Sequence, residues 1–270
     1  MPDQPMPLPS MFDLTERVCL VSGGAKGIGL AIASRLAEAG GQIAILDLDD
    51  TGGEQAASDL GAAGASVQFV QGDVSKPADV ARVVERVEKL WGPVDILVNN
   101  AGIYPIIPTL ACDETQWARV IDVNLKGVFL LARAAAGRMV ETGRAGAIVN
   151  IASINAFRPL PGLAAYSSAK AGIAMLTRSL ALEFGRFGIR VNSISPGGIE
   201  TPGGRDANRA VADAFGITSE QVTAGYVSRV PLGRMGRADD VALVALFLVS
   251  PAAAYLTGTD VVVDGGYVLS

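Results

Sequence analysis

The chain has 270 residues, half of them hydrophobic, with 22 basic and 27 acidic side chains, a net charge of -5, two cysteines and no histidine. That is enough apolar material for one large α/β core, and the acidic balance argues against nucleic acid and anionic membrane surfaces as partners. The missing histidine removes the usual proton carrier near neutral pH and, with only two unpaired cysteines, argues against a catalytic zinc site. No metal is therefore expected, and tyrosine, lysine or carboxylates must carry any proton transfer.

Residues 1–13 open with MPDQPMPLPS, which has four prolines and no basic or apolar block. They read as a flexible tail rather than a targeting signal. Beyond them, short apolar runs at 18–21, 42–46, 66–71, 95–98, 147–151, 190–194 and 260–263 read as strands. Helical patterns fall between them at 28–39, 53–60, 78–90, 114–140, 166–184 and 239–248. Gly40, Gly61, Gly92, Gly143 and Gly185 stand where these helices end. Repeated β-α-β with apolar strands predicts a doubly wound parallel sheet with helices on both faces, in one domain spanning 14–270. The exception to this rhythm is 201–235, a polar, glycine-containing insertion that reads as a lid. The longest apolar run, 241–249, is too short to span a bilayer. Cys19 and Cys112 read as free thiols, so the expected location is the cytoplasm.

The loop Ser22-Gly23-Gly24-Ala25-Lys26-Gly27-Ile28-Gly29 follows the first strand and opens the first helix. Glycines there let the backbone approach a pyrophosphate, and the helix N-terminus offers it N–H donors. Asp47 ends the second strand, eighteen residues after Gly29, where a carboxylate can accept both hydroxyls of an adenosine ribose. Lys26 is the competing signal, since it can meet a 2′-phosphate. Magnitudes favour Asp47. An exposed lysine pair is worth about 0–1 kcal/mol. A carboxylate about 4 Å from a phosphate charge costs about 1–4 kcal/mol per charge, and hydrogen bonds to a charged acceptor add about 1.5–3 kcal/mol for the free ribose. NAD is therefore expected over NADP. Asp73-Val74 ends the third strand and suits either an adenine contact or a plain turn. Asn99-Asn100-Ala101-Gly102 follows the fourth, at the sheet edge where open α/β folds bind ligands, although its amides can equally hold the turn together.

Tyr166 and Lys170 are spaced i, i+4 on one helix face, thirteen residues and more beyond Ser153 at a strand end. A lysine ammonium and a cationic nicotinamide ring would both favour tyrosinate and lower its pKa. Ser153 can hold a substrate oxygen against the tyrosine. Asn124, a poor helix former in a long helix, can bend it and bind a water that relays protons through Lys170. Each residue alone has an ordinary explanation: a surface pair, a cap, a kink.

Taken together, the glycine loop, Asp73, Asn99 to Gly102, Asn124, and Ser153 with Tyr166-x-x-x-Lys170 resemble the short-chain dehydrogenase/reductase family, from Leu14 to the C-terminus. Ser22 stands where that family more often has threonine, and keeps the hydroxyl. The resemblance implies a Rossmann-type seven-stranded parallel sheet and hydride transfer between a nicotinamide and a carbinol carbon. Tyr166 would be the acid/base, Ser153 the oxygen positioner, Lys170 the ribose ligand and tyrosine activator, and Asn124 the water holder. Pro196, Gly197, Ile199 and Thr201 would hold the nicotinamide carboxamide. A homotetramer or homodimer is implied, with 114–140 and 166–184 as interface helices and 261–269 as a second contact, although those helices can instead simply cover the sheet. Residues expected around the substrate are Tyr104, Ile154, Asn155, Phe157, Gly198, Phe215 and Tyr226. This set is largely apolar, which fits a neutral, cyclic or aromatic secondary alcohol or ketone. The competing readings are an NADPH-dependent 3-oxoacyl-carrier-protein reductase, which Asp47 opposes, and a non-catalytic dinucleotide-binding scaffold, which the complete Ser/Tyr/Lys set opposes.

Overall fold

In the computed structural model, which describes residues 6–270 apart from the side chains of residues 214 and 215, strands β1 (Val18–Ser22) and β4 (Ile96–Asn99) are buried at every position. Burial on both faces is what a doubly covered parallel sheet demands, and it explains why these runs are continuously apolar rather than alternating. With β2 (Gln42–Asp47), β3 (Val67–Gln71), β5 (Gly146–Ile151), β6 (Ile189–Pro196) and β9 (Asp260–Val263) they form a seven-stranded sheet in the order β3-β2-β1-β4-β5-β6-β9. Every neighbouring pair in it is parallel. The order reverses between β1 and β4, so the chain leaves these adjacent strands in opposite directions and opens a crevice at their carboxyl ends.

Successive residues of β1 serve the two covering layers in turn. Leu20 packs with Val83 and Val87 of α3 (Pro77–Trp91), Leu131 and Met139 of α5 (Gly127–Glu141), and Leu180 of α6 (Ala164–Phe184). Cys19 and Val21 pack with Ile32 and Leu36 of α1 (Gly27–Glu38), Ala56 of α2 (Asp50–Ala62), and Val241 and Leu248 of α9 (Ala238–Val249). No helix among the described residues is long and apolar enough to cross a membrane. Of the predicted tail, residues 1–5 lie outside the described residues, and Pro9–Phe12 form one 3-10 turn.

Two sequence readings need correction. The helix expected over 114–140 is interrupted: α4 (Glu114–Ile121) passes into a π-helical turn, Asp122–Lys126, before α5 begins. The buried Asn124 side chain donates to Val120 O at 2.9 Å, one turn back, and to Ile103 O at 2.8 Å, which ties the widened turn to the segment after β4. Gly61 lies inside α2, and Gly64 carries the positive φ just beyond that helix's end, whereas Gly185 is the C-cap of α6 as expected. The insertion 201–235, given no elements from the sequence, carries regular structure of its own. It folds into α7 (Pro202–Phe215) and α8 (Ser219–Val227), flanked by a two-stranded ribbon of β7 (Ile199–Glu200) and β8 (Gly236–Arg237). Polar caps start both helices: Thr201 Oγ1 accepts from Gly204 N at 3.0 Å, and Thr218 forms a reciprocal box with Gln221. Its apolar anchors are few but present, with Ala212 and Val230 buried.

Candidate active site

The crevice is held shut at its base by a polar clamp. Ser22 Oγ accepts from Asn100 N at 3.1 Å and Ala101 N at 3.2 Å. The Asn100 side chain donates to Ser22 O at 3.1 Å and Gly23 O at 2.9 Å. Gly23 sits at φ +65°, and a Cβ there would lie 2.8 Å from Ala101 Cα, so only glycine admits this approach. A Cβ at Gly29 would collide with Gly23 O. Helix α1 then starts at Gly27 with Lys26 as an N-cap that supplies no side-chain acceptor. Its first-turn N–H groups therefore face the crevice without a cap, the condition an anion needs.

Asp47 lies beside this loop. One carboxylate oxygen accepts from Ala25 N and the other from Asp49 N, each at 3.1 Å. Both oxygens keep acceptor capacity for hydroxyls. Lys26 Nζ is 3.8 Å from Asp49 rather than Asp47, and both side chains are well exposed. Asp73 is occupied by Ser75, whose N and Oγ donate to it at 2.9 and 2.6 Å, with Lys76 at 3.8 Å. Val74 is buried against Gly127. Uncapped N–H groups, a glycine cradle and a carboxylate at one sheet edge fit a dinucleotide.

On the other side of the crevice, Ser153 caps the turn Ile154–Ala156, its Oγ accepting from Asn155 N at 3.1 Å. Lys170 is buried, donates to Ile151 O at 2.7 Å, and stands 5.5 Å from the centre of the Tyr166 ring. A Cβ on Gly102 would lie 2.7 Å from Asn124 Oδ1 and 3.7 Å from Lys170 Nζ, so these three residues converge. Asn124 Oδ1 is buried and has no hydrogen-bond donor among the described residues. Thr201 comes within 3.4 Å of a Cβ built on Gly27, which brings the N-cap of α7 to the glycine loop. Gly197 N donates to Val263 O at 2.9 Å, and Pro196 and Ile199 are buried beside it.

The chain matches the family model described as enoyl-(acyl carrier protein) reductase over residues 23–268. It is 38% identical over 258 residues to 3beta-hydroxysteroid dehydrogenase 1 of Eggerthella lenta, covering 95% of each chain. It is also 38% identical to the 3-oxoacyl-acyl-carrier-protein reductase of Chlamydia muridarum, covering 94% of this chain and 98% of that one. Among solved structures, levodione reductase superposes with a TM-score of 0.90 at 34% identity, covering 95% of this chain and 99% of that chain. The chain belongs to the short-chain dehydrogenase/reductase family.

The protein is an oxidoreductase of a family that binds a nicotinamide dinucleotide. Its sequence-predicted substrate residues divide into groups. Tyr104 packs edge-on against Tyr166, ring centres 5.8 Å apart, and its hydroxyl abuts Gly203 in the first turn of α7. Ile154 is buried in a small cluster with Val230 and Tyr267. Tyr226 stacks on Tyr267 at 4.3 Å, and its hydroxyl accepts from Gly198 N at 2.6 Å. Phe157 is half exposed at 51%. The Phe215 side chain lies outside the described residues. Two cations lie near the Tyr226 stack: Arg158 and Arg229 each cover the Tyr267 ring, and Arg158 donates to the carbonyls of Tyr267 and Ser270.

Sequence reasoning overlooked a buried relay behind the site. Asn99 donates to Asn150 at 2.8 Å, and Asn150 donates to Thr177 at 2.9 Å. Its signal was Asn150 within an apolar strand and Thr177 on the same helix face as Lys170.

The electrostatics also differ from the sequence expectation. Burial pushes the Tyr166 phenol up to about 12, against a smaller lowering by Ser153. Burial likewise pulls the Lys170 ammonium down to about 7. Desolvation disfavours the charged form of both, so the lysine loses much of its power to stabilise tyrosinate. Between about 7 and 10.5 the unfolded chain binds a proton at this lysine that the folded protein does not. Stability through this group therefore rises with pH across that window, and below it the burial penalty is fully present. Denaturation midpoints of wild type and Lys170→Met at about pH 7 and about pH 9 should show wild type gaining on the order of 2 kcal/mol over the variant. Parallel pH profiles would mean that Lys170 titrates normally.

Proposed function

We propose that the protein is an NAD(H)-dependent dehydrogenase/reductase of neutral secondary alcohols and ketones with cyclic or aromatic character. The observation that carries this reading is the convergence of Ser153, Tyr166, Lys170 and Asn124 at the crevice. A bound nicotinamide supplies hydride acceptance or donation at its C4 position. In reduction, Tyr166 donates its phenolic proton to the substrate oxygen as the carbonyl carbon gains hydride; a phenol held near 12 is protonated and ready at neutral pH. In oxidation the same oxygen, as phenolate, takes the carbinol proton. A positive charge brought beside it offsets the desolvation that otherwise opposes this state. Ser153 Oγ orients the substrate oxygen. The unpaired Asn124 Oδ1 supports a role in receiving a donor near Lys170, through which the proton returns to solvent.

Tyr166→Phe should lower kcat by about 10²- to 10⁴-fold in a folded protein that still binds NADH. The assay follows nicotinamide absorbance over a panel of alcohols and ketones with both cofactors. Near-normal turnover would remove the tyrosine from the mechanism.

NAD preference is assigned to Asp47, whose carboxylate is already oriented by Ala25 N and Asp49 N, while Lys26 pairs with Asp49. Asp47→Ala should weaken NAD and shift the ratio of kcat/KM values towards NADP. An unchanged ratio, or a wild type that prefers NADP, would make Lys26 or another group the selector and would favour a reductase resembling the acyl-carrier-protein enzyme.

The α7–α8 pair is assigned as the lid. It touches both Thr201 at the phosphate loop and Tyr104 beside Tyr166, and much of its surface is exposed. Amide exchange across 202–227 should slow when NADH and a ketone analogue bind. Equal protection with and without ligands would show a fixed cover.

A further inference from the structure

One side chain bridges the crevice beside the reacting tyrosine. The Tyr104 ring packs edge-on against Tyr166, centres 5.8 Å apart, and its hydroxyl reaches the first turn of α7, where a Cβ on Gly203 would collide with it. We propose that Tyr104 is a specificity-determining residue: seated on Gly203, it walls the space next to Tyr166 and limits the substrate to compact, single-ring ketones and alcohols. The proposal rests on the oxidoreductase reading above and narrows its substrate class.

The wall is held from both sides of the crevice. Ile103 O accepts from the Asn124 side chain at 2.8 Å, and Ile107 N donates to Gly162 O at 2.8 Å. Tyr104 therefore lies between two anchored residues of the segment after β4. Opposite it, α7 is fixed at its start. Thr201 Oγ1 accepts from Gly204 N at 3.0 Å, and the Thr201 side chain lies within 3.4 Å of a Cβ built on Gly27. The bridge thus runs from the reacting tyrosine to the helix turn that borders the glycine loop. Neither Tyr104 nor Gly203 falls in 114–140, 166–184 or 261–269, the segments expected to carry subunit contacts.

The seat depends on this pair of residue types. Gly203 lies in the first turn of α7 without a positive φ, so alanine suits its backbone. What excludes a methyl group there is the Tyr104 oxygen. The ring carbon that carries this oxygen is 3.4 Å from the same Cβ position, an ordinary van der Waals contact. Phenylalanine at 104 with alanine at 203 would therefore rebuild the bridge, with a methyl group in place of the hydroxyl. Burial, with the nearby charge of Asp206, pushes the Tyr104 pKa up, so the wall is an uncharged ring at neutral pH. Such a wall refuses bulk rather than charge. A substrate oxygen placed between Ser153 and Tyr166 has one flank closed by this ring, and segments anchored on both sides yield little to an oversized group.

The experiment compares cyclohexanone, the compact probe, with 4-phenylcyclohexanone, the extended one. Four proteins are used: wild type, Tyr104→Ala, Gly203→Ala, and Gly203→Ala combined with Tyr104→Phe. The quantity read is the ratio of kcat/KM for the extended ketone to that for the compact one. Wild type should favour the compact ketone. Tyr104→Ala should raise the ratio about tenfold or more, and Gly203→Ala should raise it as well, because its methyl group displaces the phenol. The double variant should return to the wild-type ratio, a recovery that a general loss of stability or of cofactor binding would not give. A wild type that prefers the extended ketone, an unchanged ratio in either single variant, or a double variant that behaves like Gly203→Ala would overturn the proposal. Amide exchange across 203–206 without ligands is read independently of turnover. It should be faster in Tyr104→Ala than in wild type. Equal exchange would show that Tyr104 does not rest on α7 and would also overturn the proposal. If exchange responds as expected while none of the four proteins reduces a ketone, the bridge stands and the oxidoreductase reading fails.

Discussion

Two adjacent strands that send their chains in opposite directions must be kept from splaying, and the Ser22–Asn100 clamp does this. Its hydroxyl and amide satisfy backbone groups of both loops at once, so the carboxyl ends of β1 and β4 stay in register where the sheet order reverses. The glycine cradle, the uncapped start of α1 and the orientation of Asp47 all depend on that anchorage. This also explains why Ser22 can stand in for threonine. The hydroxyl is the functional part, since its oxygen accepts two main-chain N–H groups.

Desolvation governs the chemistry on the other side of the crevice. Lys170 is packed under the Tyr166 ring with one backbone carbonyl as partner, and both side chains shift toward neutrality. A pair of this kind responds strongly to a charge placed beside it, because little water is present to screen it. The Asn99–Asn150–Thr177 relay and the π turn at Asn124 show how polar groups enter this interior. They are mostly paired with one another or with the main chain, as burial requires. Asn124 Oδ1 is an exception aimed at the site.

Tyr166 thus stands between two environments. Tyr104 and helices α7 and α8 lie on one side, where the Tyr104 hydroxyl meets Gly203 and Tyr226 bonds Gly198. A cavity against α4 lies on the other. The turn at Tyr267 braces α8, since Tyr267 packs with Ile154 and Val230 and is covered by Tyr226 and two arginines. Arg158 and Arg229 are thereby engaged by the chain's own terminus, although nothing in their sequence positions announced it.

The sequence by itself determined the seven strands and most of the helices between them, and it singled out the glycine loop, Asp47, Ser153, Tyr166 and Lys170 as candidates. These features are written in local signals: apolar runs, i, i+4 spacing, and glycines where a Cβ would collide. Only the tertiary structure decided the helical nature of 202–227, the pairing of Lys26 with Asp49 and the pKa directions of Tyr166 and Lys170. It also decided the existence of a cavity beside Tyr166. The helices of 202–227 were hard to read because they carry glycine and few buried apolar residues, so their stability comes from caps and from contacts distant in the chain. Protonation and cavity shape depend on how much water the assembled elements exclude, and that is a property of several segments packed together rather than of any one stretch of residues.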